Sequence, residues 1–217
     1  MSSGPVSPAL RHAGLNLKYA SREEAEQIES DVFGFWVFLM SDAVIFALLF
    51  ALFGTSLEAT VGGPTLASVV KLAPAFIETA LLLTSSFTFG MASIELKRTH
   101  KFTRRHRHRA VGWLLLTWAL GIAFLGMEAH DFVTMAGEGA VPDRSFFLSA
   151  YTVLIGTHGL HVLTAVIWLP ILLMQMYMFG LDRPLKVNLI RLSLFWHFLD
   201  IVWIAIFSIV FLQGAIR

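Results

Sequence analysis

The sequence contains no cysteine. That absence excludes a disulfide, a thiolate metal site and a thiol nucleophile, and it leaves the compartment unreadable from redox chemistry. Residues Met1 to Ser30 lack an apolar stretch and carry Glu23, Glu24, Glu26 and Glu29. They read as a tail or a surface helix rather than as a signal peptide. No internal repeat or low-complexity tract stands out, and the apolar runs lack the strict alternation of a membrane barrel. What the chain does have is apolar length. Of its 217 residues 56% are apolar, and the mean hydropathy is +0.70. A soluble domain is usually about 45–50% apolar, and here the excess is concentrated in long runs.

A helix needs roughly 20 apolar residues to cross about 30 Å of hydrocarbon. Five runs qualify: Phe33–Phe53, Leu72–Leu96, Ala110–His130, Ser145–Phe179 and Asn188–Gln213. Lipid offers no partner to backbone N–H and C=O groups, so each run must satisfy its own, which predicts helices. Pro74 falls in the first turn of the second run, where a missing N–H does little harm. The fourth run is longer than the hydrocarbon requires, which predicts tilt or protrusion, with Pro170 a candidate kink. The chain therefore reads as an all-α membrane protein, a five-transmembrane-helix bundle over residues 32–217 behind a tail at 1–31.

Five spans place the tail and the second and fourth inter-span loops on one side. That side holds thirteen of the sixteen Lys and Arg residues, including the run Arg104-Arg105-His106-Arg107-His108-Arg109; the other holds Lys71, Arg144 and Arg217. Positive charge stays inside, so the N-terminus is expected in the cytoplasm and the C-terminus in the periplasm. The basic run lies in a short loop between spans. Its expected partner is the anionic inner leaflet, not nucleic acid.

Ionisable groups at membrane depth are costly and need a reason. Asp42, His158, His161, His197 and Asp200 fall near mid-membrane, while Glu78 and Glu128 fall toward the outer side. His158 and His161 are three apart, as are His197 and Asp200, so each pair shares a helix face. The expectation is that these faces point into the bundle and hydrogen-bond across it. Four His and Asp ligands suggest a metal site, but bundle metal sites use Glu-x-x-His motifs with further glutamates, and that pattern is absent. A proton path through Asp42 lacks an obvious ladder of acids. An independent transporter would show an inverted repeat with interrupted helices, which five spans do not supply. Trp113, Trp118, Trp168, Trp196 and Trp203 are expected to pack or to anchor at the interface. Gly34, Gly90, Gly112, Gly121, Gly126, Gly156 and Gly159 are expected to let helices approach closely.

Several segments taken in order resemble subunit III of the haem–copper respiratory oxidases. They are Phe33-Gly-Phe-Trp-Val-Phe-Leu-Met-Ser-Asp42, Glu78-Thr-Ala-Leu-Leu-Leu-Thr-Ser-Ser86, Gly126-Met-Glu128, Pro142-Asp-Arg-Ser145, Gly156-Thr-His-Gly-Leu-His161 and Phe195-Trp-His-Phe-Leu-Asp-Ile-Val-Trp203. The five-span length, Gly-Met-Glu and Pro-Asp-Arg-Ser lean toward the ubiquinol oxidase branch, with the cytochrome c oxidase branch as the alternative. The resemblance implies an accessory subunit with no haem, copper or active site of its own, in a bacterial inner-membrane complex that reduces dioxygen and pumps protons. It implies catalytic centres in subunit I, further partners in subunit II and a small subunit IV, and phospholipid in a helix cleft. It also singles out Asp42 as the position linked in the family to carboxyl-modifying reagents and proton uptake. Glu78, Glu128, His158, His161, His197 and Asp200 are then expected as a polar network or lipid-cleft lining.

Overall fold

The computed structural model describes residues 22–57, 72–97, 104–139, 145–180 and 182–212. Residues 1–21, 58–71, 98–103, 140–144, 181 and 213–217 lie outside them, and with them the Pro142-Asp-Arg stretch. The described chain forms five helices, each long and apolar enough to cross a membrane. We label them α1 (Arg22–Ser56), α2 (Leu72–Lys97), α3 (Arg104–Gly137), α4 (Phe146–Phe179) and α5 (Arg183–Ile206), the last continuing as a π-helical segment, Phe207–Leu212. No strand occurs among the described residues.

Three helices begin earlier than the apolar runs. α1 starts at Arg22, α3 at Arg104 and α5 at Arg183. Residues 22–31, which the sequence assigns to the tail or a surface helix, are the first turns of α1. Outside the hydrocarbon a helix satisfies its backbone with any side chains, so hydropathy cannot register those turns. α4 has defined ends. The Ser145 side chain accepts a hydrogen bond from Leu148 N at 3.2 Å, which caps one of the free N–H groups at a helix start. At the other end Gly180 takes a φ of 81°, a left-handed value suited to glycine.

Pro170 lies inside α4. It has no N–H to give the carbonyl four residues back, and that carbonyl belongs to Val166. Trp118 of α3 donates its indole N–H to Val166 O at 3.0 Å. The proline thus frees an acceptor in the membrane and a neighbouring helix satisfies it, as spanning backbone requires. Trp118→Phe should destabilise the bundle by about 1–3 kcal/mol, because it strands a buried acceptor. Adding Pro170→Ala should recover part of that loss, since alanine restores the intrahelical donor. A thermal-unfolding double-mutant cycle in detergent checks this, and strictly additive losses would contradict it.

α5 is the centre of the bundle and packs against α1, α2 and α4. Half of its apolar window (50%) is buried, against 22% for α1. α2 and α3 lie along one another most extensively, α1 rests on α4 and α5, and α3 also meets α4. Phe46, Phe53, Phe89, Phe124, Leu154 and Trp203 fill the core. At the end where α1, α3 and α5 begin, Arg191 meets Asp31 at 3.5 Å and Arg109 meets the buried Glu95 at 3.7 Å.

The seven glycines divide into two kinds within the bundle. A Cβ added at Gly34, Gly90, Gly112, Gly126 or Gly156 would meet nothing within 4 Å. Only two of the seven sit at close approaches. At Gly121 it would come within 2.9 Å of the Trp196 ring and 3.0 Å of Val166, and at Gly159 within 2.5 Å of the Glu128 carboxyl.

Candidate functional site

The intramembrane polar residues fall into three groups. The first lies between α2, α3, α4 and α5. Glu78, Glu128, Asp131, Phe132, Met135, Tyr151, Ile155, Trp203 and Phe211 line a cavity of about 20 Å³. Glu78 enters from α2, Glu128 and Asp131 from α3 one turn apart, and Tyr151 from α4. The π-helical segment contributes Phe211, whose ring centroid lies 6.1 Å from that of Trp203. Glu78, Glu128 and Tyr151 are all buried. Glu78 Oε1 and both Glu128 carboxyl oxygens have no hydrogen-bond partner among the described residues.

The second group joins α1 to α4. His161 Nδ1 lies 2.7 Å from the Thr157 carbonyl oxygen. A carbonyl only accepts, so this nitrogen carries the proton. The other nitrogen, Nε2, then faces Asp42 Oδ2 at 3.7 Å, and Asp42 is buried. The third group joins α5 to α2. His197 Nδ1 pairs with Ser86 Oγ at 2.8 Å and lies 3.6 Å from Asp200 Oδ2 on its own helix. Asp200 is buried, while His197 sits on the rim with 42% of its side chain exposed.

His158 departs from the expectation of bonding across the bundle. It is fully buried, and neither ring nitrogen has a hydrogen-bond partner among the described residues. Its ring packs instead between Phe46, Phe124 and Trp203, at centroid distances of 6.4, 6.0 and 5.2 Å. The i, i+3 spacing puts His158 and His161 on one broad face, but the roughly 60° between them sends one into an aromatic nest and the other to Asp42. Among the described residues, no three His, Asp or Glu side chains form a group that would hold a metal ion.

The sequence reading missed several residues that fasten these groups. Trp203 Nε1 donates to Thr79 Oγ1 at 3.0 Å and Trp196 Nε1 to Ser85 Oγ at 3.0 Å. With His197–Ser86 they lace α5 to α2 along one seam. Thr88 and Thr117 hydrogen-bond across the α2–α3 contact at 2.8 Å. Tyr151 gave no warning, since a lone tyrosine in an apolar run is ordinary. Thr79, Ser85 and Ser86 carry a faint signal, being small polar residues inside a span, which is how membrane helices are joined.

Fold and polar groups together define a multi-pass helical membrane bundle whose described buried polar groups lie mostly between helices. Residues 23–215 match the family described as cytochrome c oxidase subunit III. The chain is 43% identical to the cytochrome bo(3) ubiquinol oxidase subunit 3 of Pseudomonas aeruginosa, over 85% of this chain and 86% of that one. It is 40% identical to the protein of the same name from Pseudomonas putida, over 85% and 86%. It is 38% identical to the quinol oxidase subunit 3 of Bacillus subtilis, over 88% and 91%. The chain belongs to the cytochrome c oxidase subunit III family, as a subunit III of the haem–copper oxidases. It is a multi-pass protein of the bacterial inner membrane and a member of an oxidase complex.

Proposed function

We propose that this chain is the accessory third subunit of a proton-pumping ubiquinol oxidase that reduces dioxygen to water. The observation that carries the reading is the 43% identity over 85% of the chain to a protein named as a ubiquinol oxidase subunit. It packs on subunit I, which carries the haem and copper, and lies beside subunit II and a small subunit IV. It holds phospholipid in a cleft and sustains turnover without a redox centre of its own. The polar groups support this reading, since two of the three, Asp42 with His161 and His197 with Ser86, cross from one helix to another as fastenings. The charge asymmetry of the loops supports a cytoplasmic N-terminus and a periplasmic C-terminus.

Asp42 is the proposed carboxyl-reactive and proton-uptake residue. Its carboxyl faces His161 and has an oxygen without a hydrogen-bond partner among the described residues. Glu78, Glu128, His158, His197 and Asp200 serve packing and lipid-cleft roles. Asp42→Asn keeps the shape and removes the charge. It is expected to leave the complex assembled and to change turnover by no more than about threefold, under about 0.7 kcal/mol in barrier. Steady-state oxygen consumption followed until inactivation checks this. Complete loss of oxygen reduction with haems intact would mean that the chain is catalytic and not accessory.

A further inference from the structure

α5 is the central helix, yet one of its faces is uncovered. On one flank Trp196 and Trp203 reach Ser85 and Thr79 of α2. On the other flank Phe198 packs on Phe46 of α1. Between the flanks Ile190, Leu194, His197, Ile201 and Ile204 form a stripe, spaced alternately four and three residues apart. Ile190, Leu194 and His197 are half-buried, while Ile201 and Ile204 are exposed, so no described helix lies over the stripe.

Alternating steps of four and three make the seam along which a second helix packs. The spacing alone would suit lipid equally well, and His197 decides between the two. It stands near the middle of the span Pro184–Leu212. Its side chain is 42% exposed, against 23% for His161, 9% for Asp42 and 7% for Asp200. Nδ1 is held by Ser86 at 2.8 Å and faces Asp200 at 3.6 Å, whereas Nε2 meets no hydrogen-bonding group among the described residues. An imidazole nitrogen donates or accepts in either tautomer. Acyl chains do neither, and the hydrocarbon core holds no water to take their place. Lipid would therefore cover the isoleucines without penalty and leave Nε2 unmet, and ionisable side chains at this depth face protein or a watered cavity.

We propose that the stripe seats a transmembrane helix of another subunit of the oxidase complex, with a hydroxyl or carboxamide side chain of that helix hydrogen-bonded to His197 Nε2. Such a side chain can donate or accept, so it meets either tautomer, and it brings no further charge into the membrane. The four aliphatic positions supply the packing, and His197 sets the register of the incoming helix. The inference deepens the accessory reading and rests on it, because a complex must supply the helix.

The test uses the purified complex containing the full chain, with the photo-crosslinker benzoylphenylalanine in place of Ile201 or, separately, of Ile204. Both positions are exposed, so the larger side chain needs no repacking within this chain. Mass spectrometry identifies the adducts after irradiation. The expected adduct is with a transmembrane helix of another subunit, one that carries a hydroxyl or carboxamide residue within a turn of the crosslink. Adducts with lipid alone, or with a second copy of this chain, would overturn the proposal. The hydrogen bond is read from His197→Phe and His197→Gln in the Ile201 crosslinking background, at the detergent concentration that halves the adduct yield when His197 is present. Phenylalanine should lower the yield by about threefold, the change that one typical hydrogen bond between membrane helices makes. Glutamine, which donates and accepts, should restore most of it. A yield that phenylalanine leaves unchanged would overturn the hydrogen bond. Should the phenylalanine variant fail to assemble, the crosslinks made with His197 present still decide whether a helix lies on the stripe. An intact haem-containing complex with no such crosslink defeats this inference alone, whereas a chain that purifies without haem defeats the accessory reading as well.

Discussion

Trp203→Ala should be the most damaging single substitution in the bundle, costing about 3–5 kcal/mol as other buried tryptophan and phenylalanine truncations do. Trp203 is 1% exposed. Its ring meets Phe124 edge-on at 4.8 Å, lies 5.2 Å from the His158 ring, and stands 6.1 Å from Phe211. Its N–H also closes the α5–α2 seam at Thr79. In lipid no hydrophobic gain draws helices together, so their association depends on such packing and hydrogen bonds. Removing the indole leaves a hole beside the acidic cavity and strands His158 on one side. Trp203→Phe separates the two contributions. It keeps most of the packing and loses the hydrogen bond, for which about 0.6 kcal/mol is typical within a membrane. Thermal unfolding of the complex in detergent should show a much larger loss for alanine than for phenylalanine. Equal losses would show that the hydrogen bond, and not the packing, holds the seam.

Gly121→Leu should rank next. Gly121 lies on α3 where that helix meets α4 and α5, and the Trp196 and Val166 side chains already occupy the space a Cβ would enter. Neither can yield easily. Trp196 is 2% exposed and hydrogen-bonded to Ser85, and Val166 is 6% exposed. Overpacking of this kind costs about 1–3 kcal/mol, with a leucine toward the upper end because it must part three helices. Gly126→Leu, at an open position on the same helix, serves as the comparison and should cost far less. The yield of assembled complex and its unfolding temperature check the ranking. A Gly126 variant as damaging as the Gly121 variant would show that general loss of glycine, and not this junction, is responsible.

The five spans were legible because crossing lipid demands long apolar runs, and a run such as Phe33–Phe53 has few other uses. Their ends were less legible. Arg22 and Arg104 begin helices whose first turns carry no apolar signal, so hydropathy marks the apolar spans and not the helix starts. The identity of the buried polar residues was also legible, since Asp42 or Glu78 at membrane depth has a cost that must be met. Their pairing was not. Spacing along α4 says that His158 and His161 are neighbours, but only the neighbouring helices decide that one meets Asp42 and the other meets rings. The glycines show the same limit. Nothing in the sequence separates Gly121 and Gly159 from the five open positions, because the difference lies in side chains that arrive from other helices. The proline–tryptophan exchange at Val166 depends likewise on two residues 52 positions apart.

The central claim is membership of a quinol-oxidising complex in an accessory role. The most direct measurement is purification of the native complex through a tag on this chain, with oxygen consumption assayed against ubiquinol and against reduced cytochrome c. Copurification of a haem-containing subunit I, with oxygen reduction driven by ubiquinol and not by cytochrome c, is the predicted result. A chain that purifies without haem, or a complex that consumes oxygen only with cytochrome c as donor, would contradict it.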